Sequence, residues 1–156
     1  MGSRKFAQPL DLRRGVDHIG VTVVFFCHDG RGRLLMHKRS NRCRDEIGRW
    51  DCGSGAMEFG ETFEQAVRRE IREEYGVEPR AIRFCGVNNV LRRKEHTTTH
   101  WVAVIFAAKV DPSKVKNGEP QKMEQVAWFS TRKLPHPLHS MLKEHLKVVR
   151  RAGVKI

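Results

Sequence analysis

The sequence predicts an α/β fold: one domain in which helices pack on a mixed β-sheet. Three observations carry this. Runs rich in β-branched and aromatic residues recur along the chain, and one segment has helix caps at both ends. The elements then follow the order β-β-α-β-β-β-α, with both short and long connections, which suits a mixed sheet covered by helices. A length of 156 residues with 39% apolar composition fits a single core.

Taken in order, residues 1–16 read as a polar leader and residues 17–156 as the domain. His18–Cys27 reads as a strand. Asp29-Gly30-Arg31-Gly32 is a turn signal, and Arg33–Lys38 follows as a strand paired with the first. Ser40–Gly48 is polar and reads as a surface loop. Trp50–Phe59, with its three glycines, reads as an irregular, tight segment. Thr62–Tyr75 is the clearest helix: Thr62 and Gln65 have capping-box spacing, and Gly76 stands where a left-handed terminal residue is wanted. Ala81–Leu91 and His100–Val110 read as strands joined by the polar stretch Arg92–Thr99. Asp111–Gln121 is a loop, and Gln125–Phe129 a last short strand. Met141, Leu142, His145 and Val149 have helical spacing within a second helix over Leu138–Arg151. Phe25, Phe26 and Phe106 are core candidates. His18, His28, His37 and His100 near strand ends read as structural.

The first helix carries charges on its apolar side. At about 100° per residue, Phe63, Ala66, Val67 and Ile71 form one stripe. Glu70 and Glu74 fall inside that stripe, and Glu73 lies at its edge beside Ala66. Burying unpaired carboxylates together is costly, through desolvation and mutual repulsion. A hard divalent cation offsets that cost, and the i, i+3, i+4 spacing places the three glutamates on neighbouring positions.

The flanking residues extend this pattern. Gly55 is followed by five residues and Glu61, then seven residues, then Arg69-Glu70-Ile71-Arg72-Glu73-Glu74-Tyr75-Gly76-Val77. This resembles the complete box of the Nudix (MutT-like) hydrolase superfamily, here residues 55–77. The resemblance implies an α/β/α sandwich around a mixed sheet, and a pyrophosphohydrolase that cleaves a phosphoanhydride with Mg²⁺, with Mn²⁺ as a substitute. Under it, Glu70, Glu73 and Glu74 match the metal-binding, catalytic glutamates. Glu61 matches an earlier glutamate that supports the metal or its waters. Gly55, Arg69 and Gly76 match structural positions. The general base varies across the family; Glu124 is the first candidate and Glu119 the second. One departure stands out: Asp51-Cys52-Gly53-Ser54-Gly55 replaces the Pro-Gly-Gly that many relatives carry before the box.

Around the box, Arg39 and Arg49 are candidate phosphate contacts, because a guanidinium meets phosphate oxygens bidentately. Trp50 and Trp101 are candidate stacking faces for a base, although Trp101 also reads as core. Asn88-Asn89-Val90, Thr99-His100-Trp101-Val102 and Glu119-Pro120 are similar to a branch that converts nucleoside triphosphates to monophosphate and pyrophosphate. Nucleotide sugars such as ADP-ribose are the rival substrates.

The net charge of +12 favours anionic partners. It keeps nucleic acid open as a less favoured partner, whether as an RNA-binding module or as an RNA 5′-end hydrolase. A small-molecule nucleotide is the expected ligand, and a homodimer stays open. No run approaches the roughly 20 apolar residues that span a bilayer, and Met1–Leu10 lacks the apolar centre of a signal peptide. Cys27, Cys43, Cys52 and Cys85 form no CxxC pair, which fits reduced thiols and a cytoplasmic location.

Overall fold

The computed structural model describes residues 11–94 and 96–156. The expected leader therefore falls mostly outside the described residues. Its last part turns at Arg13–Val16 and is tied down, with Gly15 O accepting from His100 N at 2.8 Å.

The strands are β1 (Gly20–His28), β2 (Arg33–Arg39), β3 (Trp50–Asp51), β4 (Gly53–Ala56), β5 (Ala81–Lys94), β6 (Thr97–Lys109) and β7 (Met123–Ser130). The helices are α1 (Phe63–Tyr75) and α2 (Leu142–Arg151). All seven strands join one mixed sheet. Its main path runs β3-β2-β1-β6-β5, with β4 on β1 and β7 on β2. β1 and β6 are parallel, from Gly20↔Trp101 to His28↔Lys109, and the other pairs are antiparallel.

Strand alternation sends odd-numbered β1 residues to one face and even-numbered ones to the other. Val23, Phe25 and Cys27 pack with Ala66, Val67, Ile71 and Tyr75 of α1. Val24 and Phe26 pack with Leu142, Leu146 and Val149 of α2. The result is the expected α/β/α sandwich, with a separate core on each side of the sheet. α1 is closed as its sequence suggests. The Thr62–Gln65 capping box is formed, and Gly76, at φ 61°, donates to Arg72 O.

Several boundaries differ from the sequence reading. Trp50–Ala56 is not irregular: it supplies β3 and β4, because Trp50 and Asp51 pair with Lys38 and His37, and Gly53–Ala56 pairs with Phe25–Thr22. β5 and β6 run on through the polar stretch as far as Lys94↔Thr97, where consecutive β-branched threonines suit a ladder. β7 begins at Met123, two residues early, so Met123 points into the core and Glu124 outward. α2 begins four residues late because Leu138 is held extended. Trp50 N donates to Pro137 O and His139 N to Trp50 O, both at 2.8 Å. Phe63 belongs to the apolar stripe of α1 yet is 44% exposed.

Ile71 is fully buried at the centre of the α1 core. Ile71→Ala is expected to cost about 2–5 kcal/mol by leaving a cavity. Urea unfolding should show this as a lower midpoint at unchanged slope.

Candidate functional site

The end of β4 and the inner face of α1 enclose a cavity of about 330 Å³. Glu70, Glu74 and Glu119 line it, with His37, Ser54, Gly55 and the cations Arg39, Arg42, Arg44 and Lys122. Glu74 is buried. Its Oε2 has no hydrogen-bond partner among the described residues. Burial pushes its carboxyl well above the usual range, and the charges of Glu70 and Glu119 push further; the Ser54 backbone N–H opposes them. Burial likewise raises Glu70, against the pull of Arg69.

Arg69 organises the helix face. Its guanidinium donates to Glu61 at 2.8 and 3.1 Å, to Glu70 at 2.6 Å and to Ala56 O at 3.3 Å, and it stands 3.5 Å from Glu73. Gly55 makes room for this arrangement, since a Cβ there would stand 1.8 Å from Cδ of Glu70.

The predicted glutamates are thus only partly brought together. Glu70 and Glu74 share the cavity. Glu73 is 53% exposed and does not line it. Glu61 is held on the far side of Arg69, which lowers its pKa, and also accepts from Glu58 N. Among the described residues no three carboxylate, imidazole or thiol groups converge on one point tightly enough to form a finished metal site. The physical reason is that uncompensated carboxylates repel, and Arg69 draws Glu70 aside. Even so, the residues fit a hard divalent cation. They offer oxygen donors, an orphaned buried carboxylate oxygen, and a glycine that leaves room for a second carboxyl.

Of the two loop candidates, Glu119 reaches this cavity. Its Oε1 accepts from Lys122 Nζ at 2.7 Å. Glu124 faces an outer groove with Pro120 and Gln121, is 58% exposed and pairs with Lys38 at 3.3 Å.

A second cavity, of about 480 Å³, adjoins the first; Arg39, Arg44 and Ser54 line both. It lies on the α2 face of the sheet. Its walls include Thr22, Val24, Val90, Ala103 and Trp101 from β1, β5 and β6, together with Asp51, Cys52, His139, Met141 and His145. Arg92 and Thr99 also line it. Trp101 is therefore at a cavity wall. Trp50 lines neither cavity: its ring is buried edge-on against Phe129 at 4.8 Å. Arg39 lines both cavities and pairs with Asp45 at 3.1 Å. Arg49 lines neither, donating to Leu138 O and pairing with Glu46.

The sequence reading missed Asp51, Glu46 and Arg44. Glu46, at φ 53°, fastens the Ser40–Gly48 loop over the second cavity by accepting from Arg92 and Ser140 and pairing with Arg49. Asp51 stands in a segment read as irregular and tight, and its burial had no local signal beyond the adjacent Trp50. His37, His139 and His145 are all lowered by burial, to about 3, 4 and 4.

With fold and site in place, comparison with known proteins identifies the class. Residues 17–152 match the NUDIX domain model, and the chain belongs to that family. Among curated relatives, 8-oxo-dGDP phosphatase NUDT18 of Homo sapiens is 30% identical over 134 residues, 85% of this chain and 38% of that protein. ADP-ribose pyrophosphatase of Methanocaldococcus jannaschii is 27% identical over 150 residues, 95% of this chain and 82% of that protein. The MutT NUDIX hydrolase structure from Burkholderia pseudomallei superposes with a TM-score of 0.75 at 28% identity, covering 85% of this chain and 98% of that one. The chain spans about two fifths of the length of the NUDT18 relatives it matches. Among the described residues no helix is long and apolar enough to cross a membrane.

Burial raises the Asp51 carboxyl from its ordinary 3.8 to about 7. The folded state therefore holds this proton more tightly than the unfolded chain, so the carboxyl costs stability as pH rises from about 4 through 7. Asp51→Asn should raise Tm at pH 8 and change it little at pH 4.5. Calorimetry giving equal shifts at both pH values would refute the assignment.

Proposed function

We propose that this chain is a Mg²⁺-dependent hydrolase that cleaves a phosphoanhydride bond in a nucleoside-diphosphate-linked substrate, acting on nucleoside triphosphates to give monophosphate and pyrophosphate. The observation that carries this is the junction of the two cavities: a carboxylate-lined one adjoins a larger one, whose walls include the apolar Val24, Val90, Trp101 and Ala103, across Arg39 and Arg44. Phosphates and a flat apolar group of one ligand need those two environments side by side.

Glu70 and Glu74 are the residues that would hold the cation, with Glu73 at the edge of the same helix face and Glu119 lining the same cavity. The chemistry a bound magnesium supplies is neutralisation of phosphate oxygens and acidification of water. The chain's own residues do the rest. Arg39 and Arg44 grip phosphate oxygens at the junction, where a guanidinium can engage two oxygens at once. Ser54 offers its hydroxyl to the same region. Glu119 is the better placed general base: Lys122 occupies Oε1, which leaves Oε2 to take the proton of an attacking water. Glu124 is too far out to do so while it pairs with Lys38. Arg69 opposes the burial that raises Glu70 and holds the helix face in place.

Nucleotide sugars are the second reading. It is favoured by the similarity to the ADP-ribose pyrophosphatase, of which this chain covers 82%. Both this relative and the 8-oxo-dGDP phosphatase are named for substrates containing a purine nucleoside diphosphate. The small-molecule reading also accounts for the net charge of +12 without an RNA partner.

Product analysis by chromatography, with Mg²⁺, across nucleoside triphosphates, 8-oxo-dGDP, ADP-ribose and capped RNA tests the proposal. Monophosphate and pyrophosphate from triphosphates is the expected result. Preferred turnover of ADP-ribose would move the function to the second reading, and turnover of capped RNA alone would overturn both. Glu74→Gln should lower turnover on the order of 100-fold or more, at least matching losses seen when a metal site's supporting contacts are removed. It should also abolish the Tm rise that Mg²⁺ gives the wild type. Glu119→Gln should mainly lower kcat, while Glu124→Gln should stay within about threefold of wild type on the size of an exposed ion pair. The reverse order of these two variants would transfer the base role to Glu124.

A further inference from the structure

Asp51 is a buried acid that neither the box nor the carboxylate cavity uses. Its side chain is 10% exposed and lines the 480 Å³ cavity. Oδ1 accepts one hydrogen bond, from its neighbour's Cys52 N at 2.9 Å. Oδ2 faces Arg39 Nη1 and His139 Nε2 at 3.8 Å each, beyond hydrogen-bond reach. A buried carboxyl left this far short of its acceptor capacity is costly unless something enters the cavity to meet it.

The sheet residues that line the same cavity indicate what shape could enter. Thr22 and Ala103 are paired neighbours in the sheet, and Val90 is paired with Trp101. The Trp101 ring lies across Gly20, where a Cβ would stand 2.5 Å from it. Small residues and an indole thus leave a broad, low surface under α2. The volume falls within the roughly 300–1,000 Å³ of ligand pockets. A flat heterocycle can lie on that surface and turn one edge to Asp51.

Resting on the nucleotide reading above, we infer that this cavity is a purine subsite in which the Asp51 carboxyl determines specificity, favouring a guanine-type ring over adenine. Guanine presents two adjacent N–H donors, N1–H and the N2 amino group, which match the two oxygens of a carboxylate. Adenine presents a donor beside an acceptor, which matches a protonated carboxyl or an amide instead. Phosphates attached to such a ring would leave past Arg39 and Arg44 toward the glutamates.

The groups around Asp51 leave its proton legible. Arg39 and His37 face it from β2, Glu46 from the loop, Glu74 from α1 and His139 from the segment before α2. His37 and His139 lie near 3 and 4, and Glu46 is lowered, so none of these three titrates near neutrality. Glu74 is raised, and the variant below separates its contribution from that of Asp51.

The test is calorimetric titration with GMP and AMP, which contain no anhydride bond, without divalent cation. At pH 8 the wild type should bind GMP roughly tenfold more tightly than AMP, the size of one well-formed bidentate base contact. The ratio should collapse toward one at pH 6. Asp51→Asn presents an amide at both pH values, so it should bind AMP at least as well as GMP and lose the pH dependence. A wild-type ratio that does not move with pH overturns the proposal, as does an Asp51→Asn protein that keeps the wild-type ratio. Failure of both nucleotides to bind also overturns it. Should Asp51→Asn not fold, the wild-type ratio at the two pH values decides alone. Glu74-dependent turnover reports the hydrolase reading separately, so either idea can fail without the other.

Discussion

The structure is organised around the cost of placing carboxylates on the buried side of one helix. Glu74 lies in the core layer between α1 and the sheet, one residue before the buried Tyr75, with an oxygen that no described residue satisfies. Desolvation and the nearby Glu70 and Glu119 make its ionised form unfavourable. The neighbouring features limit that cost. Ser54 offers a backbone N–H, Gly55 clears space for Glu70, and Arg69 spreads one positive charge over Glu61, Glu70 and Glu73. A site with this unspent acceptor capacity is poised for a cation rather than built for stability.

The sheet lets two unlike environments share a border. Its α1 face carries the glutamates, and its α2 face carries a cavity whose walls include Val24, Val90, Ala103 and Trp101. β3 and β4 pass from one environment to the other within a few residues, so that Asp51 lines the second cavity and Ser54 lines both. The Ser40–Gly48 loop completes the border. Glu46 ties it to β5 through Arg92 and to the start of α2 through Ser140, and this holds Arg44 over the junction. Affinity for a ligand spanning both cavities would depend on that loop being preorganised.

Much of this could be read from residues alone. The capped helix, the paired first strands and the carboxylates inside an apolar stripe are local patterns, written in spacing and in turn and cap chemistry. Local patterning was less reliable where backbone pairing decides. Trp50–Ala56 looked irregular because its glycines hide two short strands, and α2 looked longer because helical spacing does not reveal that Leu138 pairs with Trp50.

The site divides along the same line. Sequence by itself determined the family box and placed Glu70 and Glu74 as acids inside the apolar stripe of α1, since a helix fixes neighbours three and four residues apart. Tertiary structure decided which of the other candidates line the two cavities. It set Glu119 in the carboxylate cavity, turned Glu124 outward through the start of β7 at Met123, sank Trp50 against Phe129, and gave Arg49 to a carbonyl while leaving Arg39 and Arg44 at the cavities. It also buried Asp51, whose surroundings come from β2, α1 and the segment before α2. Contacts between residues distant in sequence leave no periodic trace in it, so the environment of such a group exists only once the chain has folded.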